Sequence, residues 1–208
     1  MMGKADDGSI MVEMPLAGSR RALLVIDVQP ATLTAHAAHE TLGRIREYVR
    51  RAEYDAYLIA TFHAPVGSMF ERQLRWTLSK EDAGPSDPVI ETFIAATGKP
   101  QMTLHKTLRS VFKVNDDERV RDFLMAQGVD ELHLLGFDIN DCVLASAYDA
   151  LDRGYFTFVI EECSGRTDAD PRLTEAALAV LRQQAMTNKS ARSASKTIEI
   201  YAGQVQAK

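Results

Sequence analysis

Cysteine is scarce in this chain. Cys142 and Cys163 are the only two among 208 residues, too few for a disulfide framework, so each is read as a nucleophile or a core filler in a reducing compartment. No stretch of about 18 apolar residues occurs, which excludes a membrane-spanning helix. The first twenty positions have no continuous apolar run of the kind a secretory signal needs, so a cytoplasmic location is expected. Positive charge is not in excess either. Lys and Arg number 24 against 29 Asp and Glu, a net charge of −5, which argues against nucleic acid or a membrane surface as partner. A glycine-rich turn is missing after the first strand, where Asp27-Val28-Gln29-Pro30 stands, so no backbone approach to a pyrophosphate is offered and a dinucleotide site is disfavoured.

What is present is an ordinary globular composition, 46% hydrophobic and 25% charged, with enough length for one substantial core. Residues 1–20 read as a flexible arm and 21–208 as a single domain. Ala22 to Ile26 is a continuous apolar run, as expected for a strand buried on both faces. A helix with Leu42, Ile45 and Val49 on one face follows over about 36–53, and Asp55 to Phe62 forms a second strand. Strand, helix, strand calls for a right-handed crossover in a parallel sheet. From His63 to Pro100 the periodicity fails among glycines and prolines, leaving one short helix near Val89 to Ala96. Such an excursion suits a lid or binding loop. Further strands are read at Gln101–Lys106, Glu131–Leu135, Tyr155–Ile160 and near Thr197–Tyr201, with helices at about 116–127, 140–153 and 171–186. The fold class is α/β: a three-layer, Rossmann-like arrangement with a mostly parallel sheet of about six strands and helices on both faces.

In open parallel sheets, ligands bind beyond the carboxyl ends of the strands. Asp27 and Lys106 each stand at a strand end, and Cys142 follows another strand in the first turn of the next helix, so three reactive groups distant in sequence can meet at one rim. Unpaired N–H groups at that helix start favour a thiolate, and a nearby Lys106 pushes the same way. Asp27 could accept the thiol proton and return it to a leaving amine. Backbone donors of the turn would stabilise a developing oxyanion, typically by about 3 kcal/mol per donor. Taken singly, Cys142 beside Val143 and Leu144 reads as core, Lys106 as a solvated lysine, and Cys163 as structural.

Taken together, three ordered blocks are more specific. Leu24-Val25-Ile26-Asp27-Val28-Gln29, Lys106-Thr107-Leu108-Arg109-Ser110-Val111-Phe112, and Leu135-Gly136-Phe137-Asp138-Ile139-Asn140-Asp141-Cys142-Val143-Leu144-Ala145 followed by Asp149 to Tyr155 resemble the isochorismatase-like cysteine hydrolases over roughly Ala22 to Ala185. The resemblance implies a triad of Cys142, Asp27 and Lys106, acting through a thioester on small amides or related substrates without a cofactor. It also implies an oxyanion hole from the N–H groups of Asp138 and Cys142, a cis bond between Phe137 and Asp138, and a homo-oligomer, a dimer or tetramer.

Two departures stand out. Members of the family carry a small residue and then threonine where this chain has Asp138 and Ile139. The pocket therefore loses a hydroxyl and gains a carboxylate, which suits a cationic or donor-rich substrate, or weakens catalysis if the carboxylate points at the sulfur. Nicotinamidases bind a metal through an Asp-x-His pair, and Thr61-Phe62-His63 has threonine in place of that carboxylate, so no metal is expected. His63, Phe70, Trp76 and Phe112 are candidate substrate contacts, each with loop or core packing as the plainer reading. A haloacid-dehalogenase-like phosphatase is disfavoured because Gln29 replaces its second aspartate. A metal-dependent nicotinamidase and a non-catalytic small-molecule-binding protein of the same fold are the competing readings.

Overall fold

Strand β1 (Arg20–Ile26) alternates its side chains between two cores: Ala22, Leu24 and Ile26 face one, Leu23 and Val25 the other. A strand that is apolar at every position from Ala22 to Ile26 needs cover on both faces there. The computed structural model, which describes residues 19–113, 117–168 and 170–188, supplies it. Helices α1 (His36–Arg51) and α4 (Pro88–Ala96) pack on the face of Leu23 and Val25. Helices α5 (Asp117–Ala126), α6 (Leu144–Asp152) and α7 (Pro171–Gln183) pack on the opposite face. The three layers expected from the sequence are thus formed.

The sheet runs β3-β2-β1-β4-β5-β6, with β2 (Ala56–Phe62), β3 (Gln101–Lys106), β4 (Val129–Gly136), β5 (Phe156–Ser164) and β6 (Thr187–Asn188), and every pairing is parallel. Five strands are substantial. The sixth is a two-residue strand shortly after α7, where the sequence pattern continues the helix to Met186. The strand expected near Thr197–Tyr201 lies outside the described residues, as does the expected arm except for Ser19 and Arg20, the latter already paired in β1.

The excursion between β2 and β3 holds more regular structure than its periodicity suggests. Besides α4 it contains α2 (Met69–Leu74) and α3 (Lys80–Ala83), each opened by a serine, Ser68 or Ser79, whose hydroxyl accepts the N–H three residues on. An antiparallel bridge between Ala64 and Leu78 closes the loop that carries α2. Asp87 caps α4 through the N–H groups of Val89 and Ile90 and also binds Arg46 of α1 at 2.6 Å, tying the two helices together.

At the amino-terminal rim of the sheet, a buried chain of hydrogen bonds joins Tyr48, Tyr54, His133 and Glu131, with spacings of 2.5, 2.7 and 2.6 Å. Each polar group buried there has a partner, as burial requires. Among the described residues no helix is long and apolar enough to cross a membrane.

Candidate active site

Strand order reverses direction at β1, whose neighbours β2 and β4 lead away to opposite sides, and a crevice opens beyond the strand ends at such a point. Asp27 is the first residue past β1. Its φ of 53° lies in the left-handed region, which aspartate tolerates better than most residues, and its N–H donates to the Ala60 carbonyl at 2.9 Å. Lys106 ends β3 opposite Phe62 of β2. Its side chain passes over the Phe62 ring, Nζ 4.7 Å from the centroid, and reaches Asp27 Oδ2 at 2.6 Å. The lysine expected to be solvated if taken alone is therefore fully buried.

The third group arrives from β4. Gly136 ends that strand, the Phe137–Asp138 peptide bond is cis as the resemblance implied, and a π-helical turn over Ile139–Val143 leads into α6. This turn replaces the α-helical start read from the sequence. Cys142 sits within it, 7% exposed, close enough to Asp27 and Lys106 for each to shift the others' titration. Asp27 Oδ1 is buried and accepts no hydrogen bond. The three residues singled out by sequence thus meet at one place.

Their ionisation differs from the thiolate expected at a helix start. Burial, then the negative charge of Asp27, pushes the Cys142 thiol well above its ordinary value, and the opposing pull of Lys106 is smaller. Burial also raises Asp27, against the pull of Lys106. For Lys106, burial works against the charged form, but Asp27 and Cys142 together hold its ammonium above the usual value. These directions run toward the thiol form of Cys142 and the charged form of Lys106.

A cavity of about 300 Å³ opens over these groups. Phe70 and Trp76 line it together with Phe62, whose ring lies nearly parallel to Trp76 with centroids 6.0 Å apart. Two expectations are corrected. Phe112 is core: it stacks on Tyr155 at 6.3 Å and carries the Arg153 guanidinium at 5.2 Å. His63 lines a neighbouring cavity of about 240 Å³, with Lys80 and His105. Burial, with Lys80 and His105, lowers its pKa.

The lining of that neighbouring cavity holds the imidazoles of His63 and His105, the Lys80 ammonium, the Glu81 carboxylate and the Thr61 hydroxyl, the last bonded to His105 Nδ1 at 2.5 Å. Position 61 brings a hydroxyl and no carboxylate, and among the described residues no group of three His, Cys, Asp or Glu is arranged to hold a metal.

Sequence reasoning missed Gln29 and Thr167. Gln29 Oε1 accepts the Phe62 N–H at 2.7 Å and its Nε2 donates to Gly84 O at 2.8 Å, locking the end of β2 and the excursion to the cavity floor. Thr167 donates both N–H and Oγ1 to Asp138 Oδ1, at 2.7 and 2.8 Å. Asp138 is thereby held at the cavity wall. Its neighbour Ile139, where the family carries threonine, is buried in the core.

The isochorismatase domain model matches residues 21–192, and the chain belongs to this family of isochorismatase-like hydrolases. A 48-residue segment, 23% of the chain, is 46% identical to maleamate amidohydrolase of Pseudomonas putida, so the chain matches about a fifth, 22%, of that relative's length. Among solved structures, a nicotinamidase/pyrazinamidase from Bacillus subtilis superposes with a TM-score of 0.63 at 19% identity, over 82% of this chain and 100% of that one. An N-carbamoylsarcosine amidase from Thermoplasma acidophilum gives 0.63 at 22% identity, over 84% and 98%. These two likenesses are likenesses of fold.

Proposed function

We propose that this chain is a single-domain, cysteine-dependent amidase that cleaves a carbon–nitrogen bond of a small amide through a thioester on Cys142. The observation that carries the reading is the fully buried Lys106–Asp27 pair beside a buried cysteine at the floor of a cavity. An ion pair out of water is costly to maintain for stability alone. The amide-hydrolysing relatives named above support the bond class.

In this reading the Cys142 thiol proton passes to Asp27, Lys106 faces the negative charge that this leaves on Sγ, and Sγ bonds to the amide carbon as the carbonyl π electrons move to oxygen. The carbonyl oxygen becomes an oxyanion held by the N–H groups of Asp138 and Cys142. The N–H groups of Ile139, Asp141 and Val143 in the same turn are committed to Gly165 O and, for the latter two, Asp138 O, which supports that assignment. Two such donors are worth about 3 kcal/mol each. The C–N bond then breaks as Asp27 protonates the departing nitrogen, leaving an acyl thioester. Water, losing a proton to Asp27, attacks the thioester carbon; the C–S bond breaks, and Asp27 returns the proton to sulfur.

Exposed Val66, Met69 and Leu74 around α2 support a homo-oligomer, and the two free thiols support a reducing, cytoplasmic setting.

Ammonia release from a panel of small amides tests the reading. Cys142→Ala should lower turnover by about a thousandfold or more with an unchanged circular dichroism spectrum, and hydroxylamine should intercept the parent's thioester as a hydroxamate. Full turnover by the alanine variant would refute covalent catalysis.

A further inference from the structure

We propose that the cavity selects amides carrying a cationic group and excludes anionic ones, with Asp138 as the residue that sets this preference. The inference rests on the amidase reading and names the substrate class of the same site.

Three carboxylates line the cavity, Asp27, Asp138 and Asp141, and no lysine or arginine is among its lining residues. The cations nearby are each paired with a carboxylate. Lys106 is bound to Asp27. Arg109 is paired with Asp141 and lies over the Phe70 ring at 4.8 Å. Arg166, which faces Asp138 electrostatically, directs its fork onto Asp168, Nε to Oδ1 at 2.7 Å and Nη2 to Oδ2 at 2.5 Å, and also donates to Asn140.

Once these pairs are matched, Asp138 is the carboxylate left over. Its bonds from Thr167 come from neutral donors and both fall on Oδ1. Burial raises the Asp138 pKa, and the two Thr167 bonds and the Arg166 charge work against that rise in favour of the carboxylate; Oδ2 stands outside the Thr167 bonds. The opposite walls, Phe62, Phe70 and Trp76, are apolar. Low-dielectric walls strengthen the field of a lining charge compared with an open surface. A ligand whose amide carbon lies against Cys142 therefore meets a negative charge at the neighbouring turn, favourable to an ammonium and adverse to a carboxylate.

Labelling Cys142 with two methanethiosulfonates of similar size tests this without requiring turnover. One carries a trimethylammonium group and the other a sulfonate. With either, the thiol sulfur displaces methanesulfinate to form a mixed disulfide, and the thiol proton is released. Rates are read by mass spectrometry on the Cys142 peptide and normalised to those with neutral 2-mercaptoethanol. The cationic reagent should be faster by about tenfold or more in the parent. Asp138→Asn, which keeps the acceptor for Thr167, should bring the ratio close to one, and about 1 M salt should reduce it in the parent. Equal normalised rates in the parent, a ratio that survives both the Asp138→Asn substitution and salt, or no labelling of Cys142 by either reagent would overturn the proposal.

Turnover provides the matched readout: ammonia release from β-alaninamide should exceed that from succinamate. Failure of the amidase reading would instead appear as loss of turnover on every amide with the labelling ratio intact.

Discussion

Lys106 Nζ and Asp27 Oδ2 meet at 2.6 Å with both side chains removed from water, 0% and 3% exposed. A surface pair of this kind would contribute less than about 1 kcal/mol. Here, removing one partner leaves the other charge buried. Lys106→Met should therefore cost about 3–5 kcal/mol in a denaturant melt as well as the activity. Adding Asp27→Asn to that variant removes the stranded carboxylate and keeps a side chain tolerant of the left-handed backbone at this position. The double variant should regain most of the lost stability and remain inactive. A loss below about 1 kcal/mol for Lys106→Met would mean that the pair is effectively solvated.

The ionisation of the site sets a second expectation. Cys142 is raised in the folded state, by burial and then by Asp27, so the stability contributed by its thiol form is fully present below the unfolded pKa and is lost as pH rises through the folded one. Asp27 is raised too, chiefly by burial. Its protonated form is the one folding favours, and its carboxylate, needed as proton acceptor, is lost as pH falls through that raised value. kcat/KM should fall on the acid side at a pH above the usual carboxylate range. The thiolate absorbance near 240 nm, measured against Cys142→Ala, should be absent at neutral pH and emerge only above about pH 8.5. A thiolate band already present at about pH 7 would contradict the upward shift of Cys142.

Legibility from sequence followed the strength of the local signal. Strands β1, β2 and β3 were readable because a strand covered on both faces is apolar almost throughout or closes on a distinctive polar end, as β3 does at Lys106. Strand β6 was not, since two residues carry no period. The helices α2 and α3 were missed because a helix of four to six residues shows barely one turn of periodicity. Their start signals were present all the same: Ser68 and Ser79 each precede an acid by three positions, Glu71 and Asp82. For the site, the three block motifs brought Asp27, Lys106 and Cys142 together. Whether an aromatic residue faced the cavity or the core could not be read from its type: Phe70 and Phe112 are both buried phenylalanines, and only tertiary packing against Tyr155 takes Phe112 away. The upward shift of the Cys142 thiol was hidden for a related reason. Helix-start electrostatics are local, whereas the burial that outweighs them comes from the whole three-layer arrangement.

The route from β4 into the cavity depends on one close backbone approach. Gly136 has φ 124°, and a Cβ at this position would stand 1.9 Å from the Ile26 carbonyl oxygen, far inside contact distance. The obstacle is backbone at the end of β1, one residue before Asp27, and it cannot swing aside like a side chain. The Phe137 N–H donates to that same carbonyl at 2.9 Å, and Gly165 N–H to Gly136 O at 3.0 Å. Gly136→Ala must therefore part β1 from β4 or displace the turn that carries Asp138 and Cys142. We expect a loss of about 4 kcal/mol or more, the range reserved for core or backbone conflicts, and in any folded fraction a fall in kcat, because Asp27 and Cys142 are carried on the two segments forced apart. Gly43 provides the control. It lies inside α1 with nothing within 4 Å of an added Cβ, so Gly43→Ala should stabilise by about 0.5–1 kcal/mol through helix propensity and leave turnover unchanged. Thermal melts and ammonia release on the two variants side by side separate a backbone clash from a general intolerance of glycine replacement. Equal stability of the two would show that β1 and β4 can separate without cost at this point.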